Sequence, residues 1–187
     1  MRTIVLLSAT MLSAGLLLPA TPSAAQPGKQ ADEKLITSAR SAGPKSVALN
    51  ATVVAMEADG TLRTLRQGRN GFTCIPDDPA SPGRDPMCLN TNGMEWRHTW
   101  MNKTLPPDKV GIVFMLVTGG DVSNTDPFAT KPEAGRRWIS TGPHMMVVGG
   151  PAVNATAGYP RTPDPDPGKP FMMWIGTPYE HAMIPIR

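Results

Sequence analysis

The chain has 187 residues, with 18 Lys and Arg against 15 Asp and Glu, two cysteines, 21 prolines and 18 glycines. Its charges are scattered rather than run together, so it lacks the electrostatic footprint of a nucleic-acid-binding surface. The share of Pro and Gly stays below that of low-complexity chain, which leaves a folded but loop-rich protein.

Residues 1–25 read as a signal peptide. Arg2 supplies the positive start, Ile4 to Leu18 the apolar run, and Ser23-Ala24-Ala25 the small residues before a cut predicted between Ala25 and Gln26. The run is shorter than the roughly 20 apolar residues of a spanning helix and ends in a Pro-containing turn, so no membrane anchor is expected after cleavage. No Cys follows it and no Arg pair precedes it, which indicates neither a lipid anchor nor a twin-arginine route. The expected product is one secreted or periplasmic globular domain over residues 26–187. In that oxidising setting Cys74 and Cys88 most simply form a disulfide.

Along the chain, Ala31 to Ser41 carries acidic residues early, a basic residue late and a Gly43-Pro44 stop, the pattern of a short surface helix. Val47 to Met56 is Val-rich, Asp59-Gly60 is a hairpin turn, and Thr61 to Arg66 returns as the partner strand. Gly71 to Cys88 has four prolines and no period, so it is expected as a constrained loop held by its cysteines. Trp96 and Trp100 stand four apart in Glu95 to Asn102, which sets both on one face of a second short helix. Val110 to Thr118 is nearly all apolar, as in a central strand covered on both faces. Trp138 to Ser140, His144 to Val148, Phe171 to Ile175 and Ala182 to Ile186 follow as short strands, and Pro160 to Pro170 as an exposed, extended connection. The expected fold class is α+β: a mainly antiparallel sheet with two short helices, rich in loops and stapled by one disulfide.

Four ordered segments carry a resemblance: GFTCIPDDPASPGRDPMC, SNTDPFATKP, TGPHMM and FMMWIGTPYEHAMIPI. Over Ile36 to Ile186 the chain resembles a family of uncharacterised exported bacterial proteins. The resemblance implies export and places Cys74 and Cys88 in one motif; it implies no activity, cofactor or catalytic residue. The stretch around His98 matches it least.

Side chains that could carry chemistry form three groups. His144, Met146, His181 and Met183 alternate so that neighbouring strands would offer imidazole and thioether on one face, a set suited to copper. The plainer reading, favoured here, makes the methionines core filler and lets the histidines bond backbone at strand ends. Asp121, Ser123, Asn124 and Asp126 concentrate oxygen donors where calcium could sit, yet Asp126 and Pro132 stand where a calcium loop needs Gly and Glu, and a side-chain-capped turn is favoured. Asp77, Asp78 and Asp85 read as solvated turn residues.

A small hydrolase would use His144 or His181 with a carboxylate, or Ser123 or Ser140 with His144 and Asp121 or Asp126, but no nucleophile elbow, zinc helix, Walker loop or dinucleotide fingerprint is present. Trp96, Trp100, Trp138, Trp174 and Tyr179 could instead form a platform for a glycan or peptide, with core packing as the plainer reading. The leading expectation is a non-enzymatic domain that binds a small ligand, glycan or protein, with Gly142 to Met146 and Thr177 to Met183 as its contact regions.

Overall fold

The computed structural model describes residues 27–81, 83–117, 121–132, 134 and 137–186; the expected signal peptide lies outside them. Among these, the helices are α1 (Pro27–Ser41), α2 (Lys45–Ala48), α3 (Thr91–Met101) and α4 (Gly150–Ala155). The strands are β1 (Thr52–Met56), β2 (Leu62–Arg66), β3 (Phe72–Ile75), β4 (Met87–Asn90), β5 (Gly111–Met115), β6 (Asp121–Ser123), β7 (Trp138–Ser140), β8 (His144–Val148), β9 (Phe171–Met173) and β10 (His181–Pro185).

Eight strands make one sheet in the order β2-β1-β3-β4-β5-β8-β10-β9, while β6 and β7 pair apart from it. The described residues are therefore mainly β, as expected, but form four helices rather than two. The sheet is also mixed: β1 runs parallel to β3, and the other neighbours are antiparallel. The parallel pair arises because the β1–β2 hairpin folds outward to the edge, and the chain crosses back to lay β3 on the other side of β1.

The segment expected as one constrained loop, 71–88, is corrected by the structure. Its two ends are strands, and Cys74 and Cys88 stand directly opposite each other as a β3/β4 pair joined by the disulfide. The prolines crowd into residues 76–86 and leave Phe72-Thr-Cys-Ile and Met87-Cys-Leu-Asn free to donate to the ladder.

The helix expected from Glu95 begins earlier, at Thr91, because the Asn90 side chain caps it: its Oδ1 accepts the backbone N–H of Gly93 at 2.9 Å and that of Ile112 at 3.0 Å. One side chain thus ties the start of α3 to β5. The helix then lies directly on that strand, since a Cβ at Gly111 would meet the Gly93 backbone at 2.7 Å. Helix α2 takes the start of the segment expected as the first strand.

The two sheet faces bury separate cores. One carries Ile75, Leu89, Val113, Met146, Val148 and Met183 beneath Trp96, Trp174 and Tyr179. The other packs Val53, Cys74 and Cys88 against Ile36, Ala39 and Ala42, so the thin stripe of α1 is enough because alanines let it sit close. Farther along the sheet, α4 packs on β10 and β8, and Thr156 at its C-terminal end sets Oγ1 3.3 Å from Met172 Sδ on β9. The expected central strand is the fifth of the eight and is covered on both faces, by Val113 on the first and Phe114 on the second.

Because the disulfide closes a 14-residue separation between adjacent strands, the Cys74→Ala, Cys88→Ala double variant should lose about 3 kcal/mol of unfolding free energy in urea relative to the oxidised protein.

Candidate functional site

Helix α3 aims Trp96 and Trp100 at the sheet, as their spacing predicts, and there they meet Trp174 from the turn after β9 and His181 from the start of β10. The Trp96 and Trp174 rings stack at 6.1 Å and 10°, while the His181 ring stands edgewise to both, at 5.4 and 4.8 Å.

Trp174 adopts a left-handed backbone at φ 55°, unfavourable for a bulky side chain by about 1–2 kcal/mol. Its surroundings hold it there. Its backbone N–H donates to Asn124 O at 2.9 Å, its indole N–H to Ser123 O at 2.9 Å, and its carbonyl accepts the Thr177 hydroxyl at 2.8 Å. Trp96, Trp174 and Tyr179 are therefore core, while Trp100 is half-buried and Trp138 lies apart on β7.

The histidines and methionines singled out from the sequence do share one sheet face. The register gives three rows across β5, β8, β10 and β9: Met115 and His144 beside Pro185; Val113, Met146, Met183 and Phe171; then Gly111, Val148, His181 and Met173. Met146 and Met183 are cross-strand partners, and they separate His144 from His181, which are not.

Each imidazole gives Nδ1–H to the backbone carbonyl two residues earlier, His144 to Gly142 at 2.7 Å and His181 to Tyr179 at 2.9 Å. The strand-end bonding expected of them is what the structure shows. It occupies the ring nitrogen that a catalytic carboxylate would orient. His144 is 4% exposed and His181 0%, so the contact regions expected at 142–146 and 177–183 are largely turned into the core. Burial lowers the pKa of both rings; for His181, where the Tyr179 carbonyl opposes the shift and His144 adds to it, the result is about 4.

The oxygen cluster is a turn. Ser123 Oγ accepts the N–H of Asp126 at 3.0 Å, Asp126 Oδ1 accepts that of Phe128 at 2.8 Å, and the buried Asn124 Nδ2 reaches the carbonyls of Thr162 and Pro163, both at 3.1 Å. Asn124 thereby anchors the Pro-rich connection. The side chain of Asp121 lies outside the described residues.

A cleft of about 550 Å³ lies elsewhere, between the loop before β4, the C-terminal half of α3 and the segment 127–130. Its apolar wall is Met56, Ile75, Met87, Trp100 and Phe128, and its polar groups are Asp77, Asp78, Asp85, Arg97 and Lys103.

The carboxylates, expected as solvated, are largely spent on their own loop. Asp77 Oδ1 accepts Asp85 N–H at 2.7 Å, Asp85 Oδ1 accepts Asp78 N–H at 3.2 Å, and Asp78 Oδ1 accepts Ala80 N–H at 2.9 Å. Burial lifts the Asp85 carboxyl above its ordinary range, with Asp77 alongside pushing the same way.

Arg97 differs from them. Its Nε is buried without a hydrogen-bond partner, its Nη2 lies 4.0 Å from Met56 Sδ, and no carboxylate of the described residues is within ion-pair distance. Burial lowers its pKa, opposed by the fields of Asp85 and Asp78. Lys103, beyond the end of α3, sits 5.0 Å over the Phe128 ring. Sequence reasoning passed over Arg97 as one of many scattered charges. The available signal was its place on a Trp-bearing helix, one residue after a core tryptophan.

No protein-family model matches the chain, and neither a curated protein nor a solved structure does.

The histidines predict a pH dependence. A group whose folded pKa is depressed binds more protons unfolded, so its stabilisation is full above the unfolded value near 6.5 and is lost as pH falls toward about 4. Urea unfolding free energy should drop on the order of 3 kcal/mol across that window, and His181→Gln should remove most of the drop. The difference between the two proteins isolates His181 from Asp85, which acts in the opposite sense.

Proposed function

We infer that the chain is an exported, non-enzymatic binding domain of the periplasm or extracellular space, and that it takes a small amphipathic anion in the cleft beside α3. The observation that carries this reading is the guanidinium of Arg97, placed in an apolar cleft with its Nε unpaired. Clefts of this size with an apolar lining and a few convergent polar groups are the usual form of a small-molecule site. Each of the three aspartates commits one oxygen to a backbone N–H of its own loop, whereas Arg97 Nε has no partner, so the guanidinium is the polar group of the cleft whose hydrogen bonding is least satisfied. An anion with an aryl or alkyl body satisfies that donor while covering Trp100 and Phe128. Export is supported by the signal-peptide pattern, by the resemblance to exported proteins and by the disulfide.

Titration of ¹⁵N-labelled protein with 4-phenylbutyrate, and in parallel with 4-phenylbutylamine, tests the reading. The acid should shift the Trp100 indole N–H and the amides of residues 77–80, and Arg97→Gln should weaken its binding about tenfold, the scale of one hydrogen bond to a charged group. Equal binding of the amine, or no shift in these residues with either compound, overturns it.

A further inference from the structure

A second site lies behind the cleft, on the sheet face beneath the indoles, and does not depend on the cleft being used. His181 is wholly buried. Its Nδ1–H is committed to the Tyr179 carbonyl, which leaves Nε2 as a bare lone pair, and Nε2 has no hydrogen-bond partner. A buried acceptor of this kind is costly, and native structures give such atoms an occupant.

The register shows what surrounds it. Met173 on β9 is its direct cross-strand partner, and Met183 is two residues along on the same face of β10. Both are almost fully buried, and the rings of Trp174 and Trp96 pack against the imidazole in edge-to-face geometry. A neutral imidazole whose other nitrogen is fixed by a backbone carbonyl is the arrangement of a metal-ligating histidine. Thioethers add soft, uncharged donors, and indole faces attract cations.

We propose that His181 Nε2, with the thioethers of Met173 and Met183, forms a binding site for a single soft monovalent cation of the cuprous type, roofed by Trp174 and Trp96. A set of one imidazole and two thioethers carries no charge, so it holds a monovalent ion without burying an anion. It also selects against calcium and magnesium, which take oxygen donors, and against zinc, which takes imidazole with thiolate or carboxylate rather than thioether. His144 is not part of it. That ring lies two rows away, beyond the Met146–Met183 pair. The site lies next to the sheet edge, since β9, which carries Met173, is the outermost strand.

The test uses Ag⁺ as a redox-inert probe in chloride-free buffer, followed by Cu⁺ under anaerobic conditions, with methionine methyl ¹³C shifts and indole fluorescence as readouts. One equivalent should shift the methyls of Met173 and Met183 and quench the indoles, with Met56 and Met101 unmoved. His181→Gln should weaken binding at least tenfold, whereas His144→Gln should leave it unchanged. Met183→Leu, which nearly conserves volume and should keep the near-ultraviolet dichroism of the parent, serves as the deciding variant if His181→Gln fails to fold. Shifts confined to the exposed methionines, binding that survives Met183→Leu or a folded His181→Gln, or no response at one equivalent, each overturns the proposal.

Discussion

The stack of Trp96 on Trp174, closed at its edge by His181, is the contact on which the rest of the arrangement depends. It joins the middle of α3 to a distant stretch of chain, the turn after β9 and the start of β10. Aromatic packing of this kind adds roughly 0.5–1.5 kcal/mol per pair beyond burial, and here it also offsets the cost of a left-handed tryptophan. The bonds from Trp174 to Ser123 and Asn124 extend the constraint to the small β6–β7 unit. Through Asn124 it reaches the Pro-rich connection, so a segment with little regular structure of its own is fixed by one buried amide.

The cleft follows from this packing. Once Trp96 is committed to the sheet, the residues one and four positions later on α3, Arg97 and Trp100, are directed to the side where the disulfide-closed loop projects. The loop turns its carboxylates inward to cap its own N–H groups, and a guanidinium is left facing an apolar wall. Among the buried polar atoms without a hydrogen-bond partner are Arg97 Nε, beside the cleft, and His181 Nε2, against the indoles. Their chemistries are complementary. One is a donor suited to an anion, the other a soft lone pair suited to a cation.

Much of the fold was legible in the sequence where the signal was local. The apolar run at 110–118 marked a central strand because burial on both faces removes alternation, and the Trp96–Trp100 spacing fixed their shared helix face. The strands flanking the Cys loop were hidden because four prolines dominate its composition, although those prolines fall between the pairing segments. The start of α3 was missed because Thr91-Asn92-Gly93 has no apolar period; its cause is a cap and a close glycine approach, both of which need the neighbouring strand. The parallel β1–β3 pair depends on which side of β1 the hairpin folds, a choice made by tertiary packing.

Among the candidate residues, alternation correctly put His144, Met146, His181 and Met183 on one face. Which of them are neighbours is a matter of register. The apolar context that made Met173 read as filler is the same context that sets it beside His181.

The edge strand β2 governs how this molecule meets copies of itself. Its outward ladder groups are offered on a strand whose Arg63 is tied to Asp32 and Glu57 and whose Arg66 is bonded to the Leu49 carbonyl. Those fastened, charged side chains flank the edge like bollards and resist a second strand coming alongside. The ion pairs that hold Arg63 are exposed and therefore weakened by salt, whereas the ladder groups they guard are not. Pairing through this margin should accordingly depend on ionic strength, with dilute buffer keeping the guard fastened and concentrated salt loosening it.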